Sequence, residues 1–337
     1  AEAMPIWPAI ISGSLGYLIV VVGMVATGMI GCDLGLASCT CCQAGFGKSG
    51  ARFIVSTIFA VNMIGWFGIQ NGVCGEAFSN AMLAMTGWDI PVVVSNTIWG
   101  IIMLLTAVYG VHALEKLDKI SIPLLMIIMC YGTFLAFKVY GTGNLNDEGT
   151  VQSMSFMSGV ALSFNFTAVG TITGPDYTRF QKSRKDTVKS VFYGVFPMGV
   201  ITLIMGIVLT KLSGQYDISM VLIEVGLPLL GIIALVISTW TTNSTNAYSA
   251  GLNIVMALKL KDNRRREATL ISGIVGIVLC DLGILGHVEG VLSLLSYVVC
   301  PVGGVILADY WVVGKGKAKN FRPQDGVNWA GVIAWAL

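Results

Sequence analysis

The chain has 337 residues, of which 55% are hydrophobic and only 11% are charged. A typical soluble domain carries about 25% charged residues. This composition excludes a soluble enzyme, a nucleic-acid-binding protein and a disordered chain, because each of them needs a more polar sequence. The formal net charge of +2 is too small to indicate an acidic partner. The composition predicts a multi-pass protein of the cell membrane.

Nine apolar segments are long enough to cross a bilayer, since a spanning helix needs about 20 predominantly apolar residues. Their length and uniform apolarity favour helices over the strands of a membrane barrel. A tenth apolar segment runs from Val327 to Leu337. The nine complete segments cover residues 6–30, 52–74, 90–112, 120–142, 153–173, 189–212, 228–258, 268–286 and 289–312. The predicted fold class is an all-α integral membrane protein.

The basic residues predict the direction of each span. Eighteen of the 20 lysines and arginines fall in alternate loops, and only Lys138 and Lys211 fall in the others. The positive-inside rule places the basic loops in the cytoplasm. Ala1 then lies outside the cytoplasm, with no cleavable basic leader before it. We therefore expect a fragment that lacks at least one helix at the front and part of one at the back.

The second span carries an amide-bearing face. Asn62, Trp66 and Gln70 are spaced four residues apart, so they share one side of a helix. Such a face is costly against lipid and should point into the bundle or a wet cavity. The alternative is that Asn62 and Gln70 only form hydrogen bonds between helices.

The fifth span contains residues that weaken a helix. Asn165, Gly170 and Gly174 lower its stability locally, and Pro175 cannot donate to the helical hydrogen-bond ladder. Interrupted helices in transporters expose backbone groups to a site near the bilayer midplane. A kinked but continuous helix remains the alternative.

The seventh span contains a polar run over residues 238–246, in which eight of nine side chains are polar. Hydroxyl and carbonyl oxygens are hard ligands that suit an alkali cation, so we favour a functional role. The alternative is that the Ser and Thr hydroxyls bond back to their own helix and bend it. Asp281 and Glu76, in or near other spans, are candidate proton carriers.

The eight cysteines do not predict a metal centre. Cys39, Cys41 and Cys42 crowd one loop, but the only histidines, His112 and His287, lie far away in sequence. This spacing fits no common zinc pattern. No organic cofactor is predicted.

Four stretches of the sequence resemble the nucleobase:cation symporter-1 family, and especially its cytosine and purine permease branch. They run through nearly the whole chain in the expected order. The stretches are GWFGIQ at 65–70, PDYTRF at 175–180, WTTN at 240–243 with YSAGLN at 248–253, and PVGGVILADYW at 301–311.

The resemblance implies a twelve-helix symporter with two inverted five-helix repeats. On that template the chain is a single transmembrane domain over 1–337 that corresponds to helices two to ten and the start of helix eleven. Residues 6–142 would form the rest of the first repeat, 153–312 the second, and 327–337 the start of a further helix.

The resemblance also implies roles for particular residues. Trp66 and Phe166 would stack on the two faces of a planar heterocycle. Amide side chains would hydrogen-bond to its edge, namely those of Gln70 with one or more of Asn165, Asn243 and Asn246. A sodium site would use the Ser238 carbonyl and the Thr241 and Thr242 hydroxyls, completed by carbonyls from the missing first helix.

The predicted function is cation-coupled uptake, with Na⁺ or H⁺, of a nucleobase such as cytosine or a related planar heterocycle by alternating access. The predicted partners are this small heterocycle and the lipid bilayer, with no nucleic acid; the sequence predicts no oligomeric state.

One alternative is an amino-acid or amine symporter of the same architecture. Another is an allantoin or hydantoin transporter, because Gln70 follows Trp66 by one turn, whereas cytosine permeases place a glutamine where this chain has Met63. An ion channel is disfavoured because the sequence shows no selectivity-filter loop. An enzyme is disfavoured because the sequence shows no catalytic motif.

Overall fold

The computed structural model describes residues 4–109, 111–146, 154–215 and 218–337, without the side chains of residues 111–113, 115, 144, 146, 218 and 262. All regular elements in these ranges are helical. The α-helices, numbered in chain order, are α1 Ile6–Leu34, α2 Ser38–Cys41, α3 Gln43–Gly50, α4 Ser56–Thr86, α5 Val92–Tyr109, α6 Val111–Tyr140, α7 Phe156–Thr167, α8 Gly170–Thr178, α9 Arg184–Val188, α10 Gly194–Ser213, α11 Ile218–Glu224, α12 Pro228–Ala257, α13 Arg265–Asp281, α14 Val288–Leu307 and α15 Trp329–Ala336. Turns of π-helix cover Ala51–Val55, Lys189–Tyr193 and Ala308–Val313, and 3₁₀ turns cover Gly143–Asn146, Asp262–Arg264, Ile284–His287 and Ala318–Asn320.

Each of the nine predicted spans forms helix in the described part of the chain, and α15 begins the tenth. Seven helical stretches there are long and apolar enough to cross a membrane. The other two spans are α12, whose polar run interrupts an apolar helix of 30 residues, and α13, whose 17 residues fall short of the usual about 20. The all-α membrane fold is confirmed.

Helix α4 is longer than the predicted span 52–74. It has 31 residues and ends at Thr86, and it is followed by Gly87, whose φ of 74° is left-handed. Glycine adopts this conformation without steric cost. The apolar pattern stops at Glu76, but Ser79 and Ala81 remain buried, so packing extends the helix beyond the hydropathy signal.

The fifth predicted span is interrupted at Ala168 and Val169, which separate α7 from α8. The Thr171 amide donates to the Ala168 carbonyl at 3.0 Å, which is the tighter spacing of a 3₁₀ turn. Pro175 lies inside α8, where it donates no hydrogen bond to the helical ladder. The Thr171 carbonyl, which has no Pro175 N–H to accept from, instead accepts a hydrogen bond from Thr27 Oγ1 at 2.8 Å.

Helix α1 runs along both halves of this interrupted span. Ser163 Oγ of α7 donates to the Gly13 carbonyl at 2.6 Å, and Thr178 Oγ1 of α8 donates to the Gly28 carbonyl at 2.7 Å. At Gly174 the backbones are so close that a Cβ atom would lie 2.5 Å from the Met24 carbonyl oxygen. Helix α1 thus holds the two halves in a fixed relation across the break.

Several basic loops meet at one end of the bundle, which we call the basic end. The Lys48 amide donates to the Gln324 carbonyl at 2.7 Å, and the Asn328 amide donates to the Phe46 carbonyl at 2.8 Å. Gly47 has a φ of 77° and lies against the Gly326 backbone, where a Cβ atom would be 2.5 Å from a carbonyl oxygen. These contacts agree with the shared cytoplasmic side that the charge pattern predicts.

An ion pair with a tyrosine and a tryptophan also lies at the basic end. Arg184 Nε donates to both carboxylate oxygens of Asp33 at 2.9 Å, and the Tyr310 hydroxyl donates to the same carboxylate. The Arg184 guanidinium also donates to the Gly316 carbonyl and lies 4.9 Å from the centroid of the Trp311 ring. We call this group the Asp33 network; it joins the ends of α1 and α14 to the segment between α8 and α10.

Candidate functional site

Two aromatic side chains from different helices meet inside the bundle. The rings of Trp66 on α4 and Phe166 on α7 have centroids 5.2 Å apart and lie edge to face, with an angle of 88° between their planes. Trp66 is half-buried, whereas Phe166 is 54% exposed. Phe166 lies near the end of α7, two residues before the break.

Helix α14 contacts the residue that precedes Phe166. Asn165 Nδ2 donates to Ser293 Oγ at 3.3 Å, and Ser296 Oγ donates to the Asn165 carbonyl at 3.2 Å. Leu295, the residue before Ser296, packs against Gly65 of α4, where a Cβ atom would lie 3.2 Å from Leu295 Cδ1. Helix α14 therefore lies behind both members of the aromatic pair.

A cavity of about 830 Å³ lies between α4, α6, α10 and α12, on the side of the bundle opposite the basic end. Its wall includes Gln70, one helical turn from Trp66, and Ser238 at the start of the polar run of α12. Most of the wall is apolar, and its polar groups are few, which is the composition of a small-molecule pocket. The polar lining residues are Gln70, Glu76, Asn80, Thr202, Ser219, Ser238 and Thr239.

The three predicted cation ligands lie within one turn of α12. Thr241 Oγ1 and Thr242 Oγ1 each donate to the Ser238 carbonyl at 3.0 Å. The hydroxyls therefore bond back to their own helix, as the alternative interpretation of this run expects. Thr242 is nevertheless exposed, so its oxygen is open to the space beside α12.

The side chains of Asn243 and Asn246, two of the predicted amide ligands, already have hydrogen-bond partners within the protein. Asn243 is fully buried, and its Nδ2 donates to the Phe67 carbonyl of α4 at 3.1 Å. Asn246 Nδ2 lies 3.4 Å from Asn243 Oδ1, which accepts its hydrogen bond. Asn243 is thus a brace between α12 and α4, whereas Asn246 is only half-buried.

The structure brings some predicted residues together and leaves others apart. Of the described residues, the cavity wall includes Gln70 and Ser238 but not Trp66, Phe166 or Thr242. Trp66 and Phe166 contact each other one turn away from this wall.

Sequence reasoning missed Ser293 and Ser296 of α14, which contact Asn165. The signal available was their spacing of three residues in an otherwise apolar helix, which places both on one face.

The candidate proton carriers lie at the end away from the basic loops. Glu76 contributes to the wall of the 830 Å³ cavity and to that of a neighbouring pocket of about 220 Å³, which Asp281 also lines. Asn96 Nδ2 donates to Asp281 Oδ1 at 3.2 Å. Asp281 thus has a partner within the bundle, whereas Glu76 faces the cavity.

The loop cysteines are buried. Burial raises the pKa of the Cys39 and Cys41 thiols to about 12, and it raises the pKa of Cys42 as well. They stay protonated at neutral pH and are poor metal ligands in that form. No group of three or more His, Cys, Asp or Glu side chains that could hold a metal occurs among the described residues, and the His112 side chain lies outside them.

A bundle of membrane helices with one interrupted span and a cavity between other helices is typical of the class of secondary transporters built from inverted repeats. The structure matches that of Mhp1 in an inward-facing conformation, with a TM-score of 0.81 at 19% identity, over 98% of this chain and 77% of that one. It also matches Mhp1, described as a nucleobase-cation-symport-1 family transporter, in a closed conformation with bromovinylhydantoin bound, with a TM-score of 0.79 at 18% identity over 99% of this chain and 84% of that one. The predicted inverted-repeat fold is confirmed.

Sequence similarity identifies the family. The profile of the permeases for cytosine/purines, uracil, thiamine and allantoin matches residues 3–337. The cytosine permease of Escherichia coli strain K12 is 30% identical over 329 residues, which cover 96% of this chain and 75% of that protein. The chain belongs to this permease family, as the four sequence motifs predict. It is a multi-pass membrane transporter rather than an enzyme.

Proposed function

We propose that this protein is a cation-coupled transporter that takes up a nucleobase such as cytosine, or a related planar heterocycle, by alternating access. The observation that carries this proposal is the contact between Trp66 and Phe166, one turn from Gln70 on the cavity wall. Aromatic faces bury a flat ring well, and a nearby amide reads its polar rim. The family to which the chain belongs, and the heterocycle bound to Mhp1, support the same class of substrate.

A ring held between Trp66 and Phe166 requires the two side chains to separate. Carbon atoms in contact lie about 3.5 Å apart, so a sandwiched ring needs about 7 Å between its neighbours. The two centroids are now 5.2 Å apart. Because Phe166 is 54% exposed and lies next to the break in its helix, it is the partner that moves.

The rim of the heterocycle would be read by amides. Gln70 faces the cavity, Asn165 is next to Phe166, and Asn246 is half-buried one turn beyond Thr242. An amide offers both a donor and an acceptor, and a ligand without the matching group leaves a buried polar atom unpaired. Asn243 supports this site indirectly, because its amide already bonds to α4.

The coupling ion would bind at the first turn of the polar run of α12. The Ser238 carbonyl and the Thr241 and Thr242 hydroxyls supply only oxygen donors, which fit Na⁺. Residues 6–142 and 153–312 would form the two inverted repeats whose relative rocking exposes the site to each side in turn. Protonation of Glu76 is the alternative source of coupling.

Glu76 favours a second candidate substrate, a heterocycle or amine that carries a positive charge. Its carboxyl group contributes to the cavity wall, and an opposite charge in a site shielded from water is attracted strongly. A neutral nucleobase gains no charge–charge attraction from this carboxylate. If sodium is the coupling ion, Glu76→Gln should therefore weaken uptake of a cationic substrate at least tenfold and affect uptake of a neutral base far less.

Radiolabelled uptake by the full-length protein in liposomes tests the proposed function. We expect Trp66→Ala and Gln70→Ala each to raise KM for the preferred base at least tenfold, which corresponds to about 1.4 kcal/mol. Trp7→Ala is the matched control, because Trp7 is 70% exposed on the outside of α1. Equal and small effects of all three substitutions would contradict the assigned site. A panel of cytosine, uracil, purines, allantoin, hydantoins and thiamine identifies the substrate.

A further inference from the structure

One face of α14 carries two serines that both contact the same residue of α7. Ser293 and Ser296 are three positions apart, so their side chains lie on the same side of the helix. Ser293 Oγ accepts a hydrogen bond from the side chain of Asn165, and Ser296 Oγ donates one to its main-chain carbonyl. Both ends of Asn165 are thereby held from outside its own helix.

The contact with the main chain lies where α7 is about to break. A helical carbonyl normally accepts from the amide four residues later, and for Asn165 that residue is Val169, which is one of the two residues outside both helices. A buried carbonyl left without a donor is costly. Ser296 is 4% exposed, and its single hydroxyl hydrogen is shared between the Asn165 carbonyl at 3.2 Å and the Leu292 carbonyl of its own helix at 2.8 Å.

The contact with the side chain fixes the orientation of the Asn165 amide. With one N–H of Nδ2 bonded to Ser293, the second N–H remains to donate and the carbonyl oxygen Oδ1 remains to accept an N–H from a ligand. Asn165 precedes Phe166, so one turn of α7 carries both this amide and the ring that would stack on the heterocycle. The orientation of one amide thus depends on one serine of a different helix.

We propose that Ser293 and Ser296 are positioning residues that set which edge of a heterocycle the site accepts. Ser293 orients the Asn165 amide, and Ser296 holds the backbone from which Asn165 and Phe166 project. Helix α14 also contacts α4 beside Trp66 through Leu295, so the same helix sets the spacing of the aromatic pair. The inference rests on the proposed function and deepens it, because it assigns substrate selectivity to residues that need not touch the substrate.

The test compares cytosine with uracil, which differ at one edge by an exocyclic amine in place of a carbonyl. Binding of each base to the full-length protein is measured for Ser293→Ala, Ser293→Thr and Ser296→Ala. One neutral hydrogen bond contributes about a fivefold change in affinity. We expect Ser293→Ala to move the ratio of the two affinities about fivefold toward unity, and Ser293→Thr, which keeps the hydroxyl, to restore it. Ser296→Ala should weaken both bases by a similar factor and leave the ratio unchanged.

A matched control removes a buried hydroxyl that bonds only to its own helix. Ser272 of α13 is 1% exposed, and its Oγ donates to the Thr269 carbonyl. Ser272→Ala should change neither affinity nor ratio, and the melting temperature of each variant shows whether it is folded.

Two results would overturn the inference. An unchanged ratio in Ser293→Ala, with binding lost in Trp66→Ala, rejects the positioning role and leaves the proposed function standing. Absence of binding of every heterocycle to the unsubstituted protein rejects both.

Discussion

The Ser238 carbonyl shows how one atom on α12 can serve either the helix or an ion. Two hydroxyls now donate to it at 3.0 Å. If a sodium ion binds there, both hydroxyls and the carbonyl turn their lone pairs toward it. We expect Thr241→Ala combined with Thr242→Ala to abolish the stimulation of uptake by sodium.

The control for this substitution is Thr245→Ala. Thr245 is exposed on the next turn, and its hydroxyl donates to the Thr241 carbonyl. Initial uptake rates are measured from zero to saturating sodium for both variants. Unchanged sodium dependence in the double variant would indicate proton coupling instead.

Arg184 contacts three separate parts of the chain at once, whereas a simple ion pair joins two. It bonds to Asp33 and to the Gly316 carbonyl, and it lies over the Trp311 ring. Hydrogen bonds to charged groups contribute about 1.5–3 kcal/mol each when they are buried, and less here because the Arg184 side chain is 40% exposed. We expect Arg184→Ala to lower the free energy of unfolding by about 1–3 kcal/mol.

Thermal unfolding in detergent measures this effect. Arg266→Ala is the control, since Arg266 is an exposed residue of the same charge at the basic end. A melting temperature for Arg184→Ala equal to that of the control would show that the Asp33 network adds nothing to stability.

At the residue scale, the sequence predicted which side chains share a helix face better than which groups they contact. The Trp66 and Gln70 spacing placed both on one face because a helix repeats every 3.6 residues. Nothing local shows that Asn243 bonds to Phe67, since that contact depends on how α12 packs on α4. Ser293 and Ser296 escaped notice because serine is common between membrane helices.

In the interrupted span, the structure departs most from what the local sequence predicts. Gly174 was expected to weaken it, yet Gly174 lies within α8 and allows α1 to approach. A Cβ atom there would be 2.5 Å from the Met24 carbonyl oxygen. Overpacking of this kind costs about 1–3 kcal/mol. We expect Gly174→Ala to lower the melting temperature and to impair uptake by moving α8 relative to α1.

A glycine in open space provides the control. No heavy atom lies within 4 Å of the Cβ position at Gly206 in α10. Alanine is the better helix former, so Gly206→Ala should leave the protein unchanged or stabilise it by up to about 1 kcal/mol. Equal melting temperatures for the two variants would show that α1 and α8 tolerate a wider separation.

The number of helices followed from hydropathy and charge, but their ends did not. Apolar segments of about 20 residues are required by the bilayer, so each was visible in the sequence. Helix α4 continues past Glu76 because neighbouring helices bury its polar end, and the break at Ala168 and Val169 falls on two residues with no intrinsic preference for it. Both features are set by packing partners far away in the sequence.

For the whole molecule, the position of the cavity makes a prediction about cysteine reactivity. Cys130 is exposed and lines the cavity, whereas Cys39, Cys41 and Cys42 are buried at the basic end. The thiolate is the form that reacts with maleimides, and burial raises the pKa of Cys39 and Cys41 to about 12, so both thiols stay protonated at pH 7.

We expect a maleimide to label Cys130 at pH 7 and a bound heterocycle to slow that labelling. The loop thiols should react only as the pH rises toward their pKa or after denaturation. Mass spectrometry measures the extent of labelling at Cys130 and at the three loop cysteines over time. Loop thiols that react at pH 7 as fast as Cys130 would contradict the packing of the basic end.

Segments that are far apart in the sequence are bonded together at the basic end. The Asp33 network, the pairing of Lys48 with Gln324 and the Ser38 amide bonded to Asp176 link the ends of α1, α8 and α14 to the chain around α2 and α3. If a solute passes through this end, several of these bonds must break together. We expect that passage to be a cooperative step, which loosening any one of the bonds would accelerate.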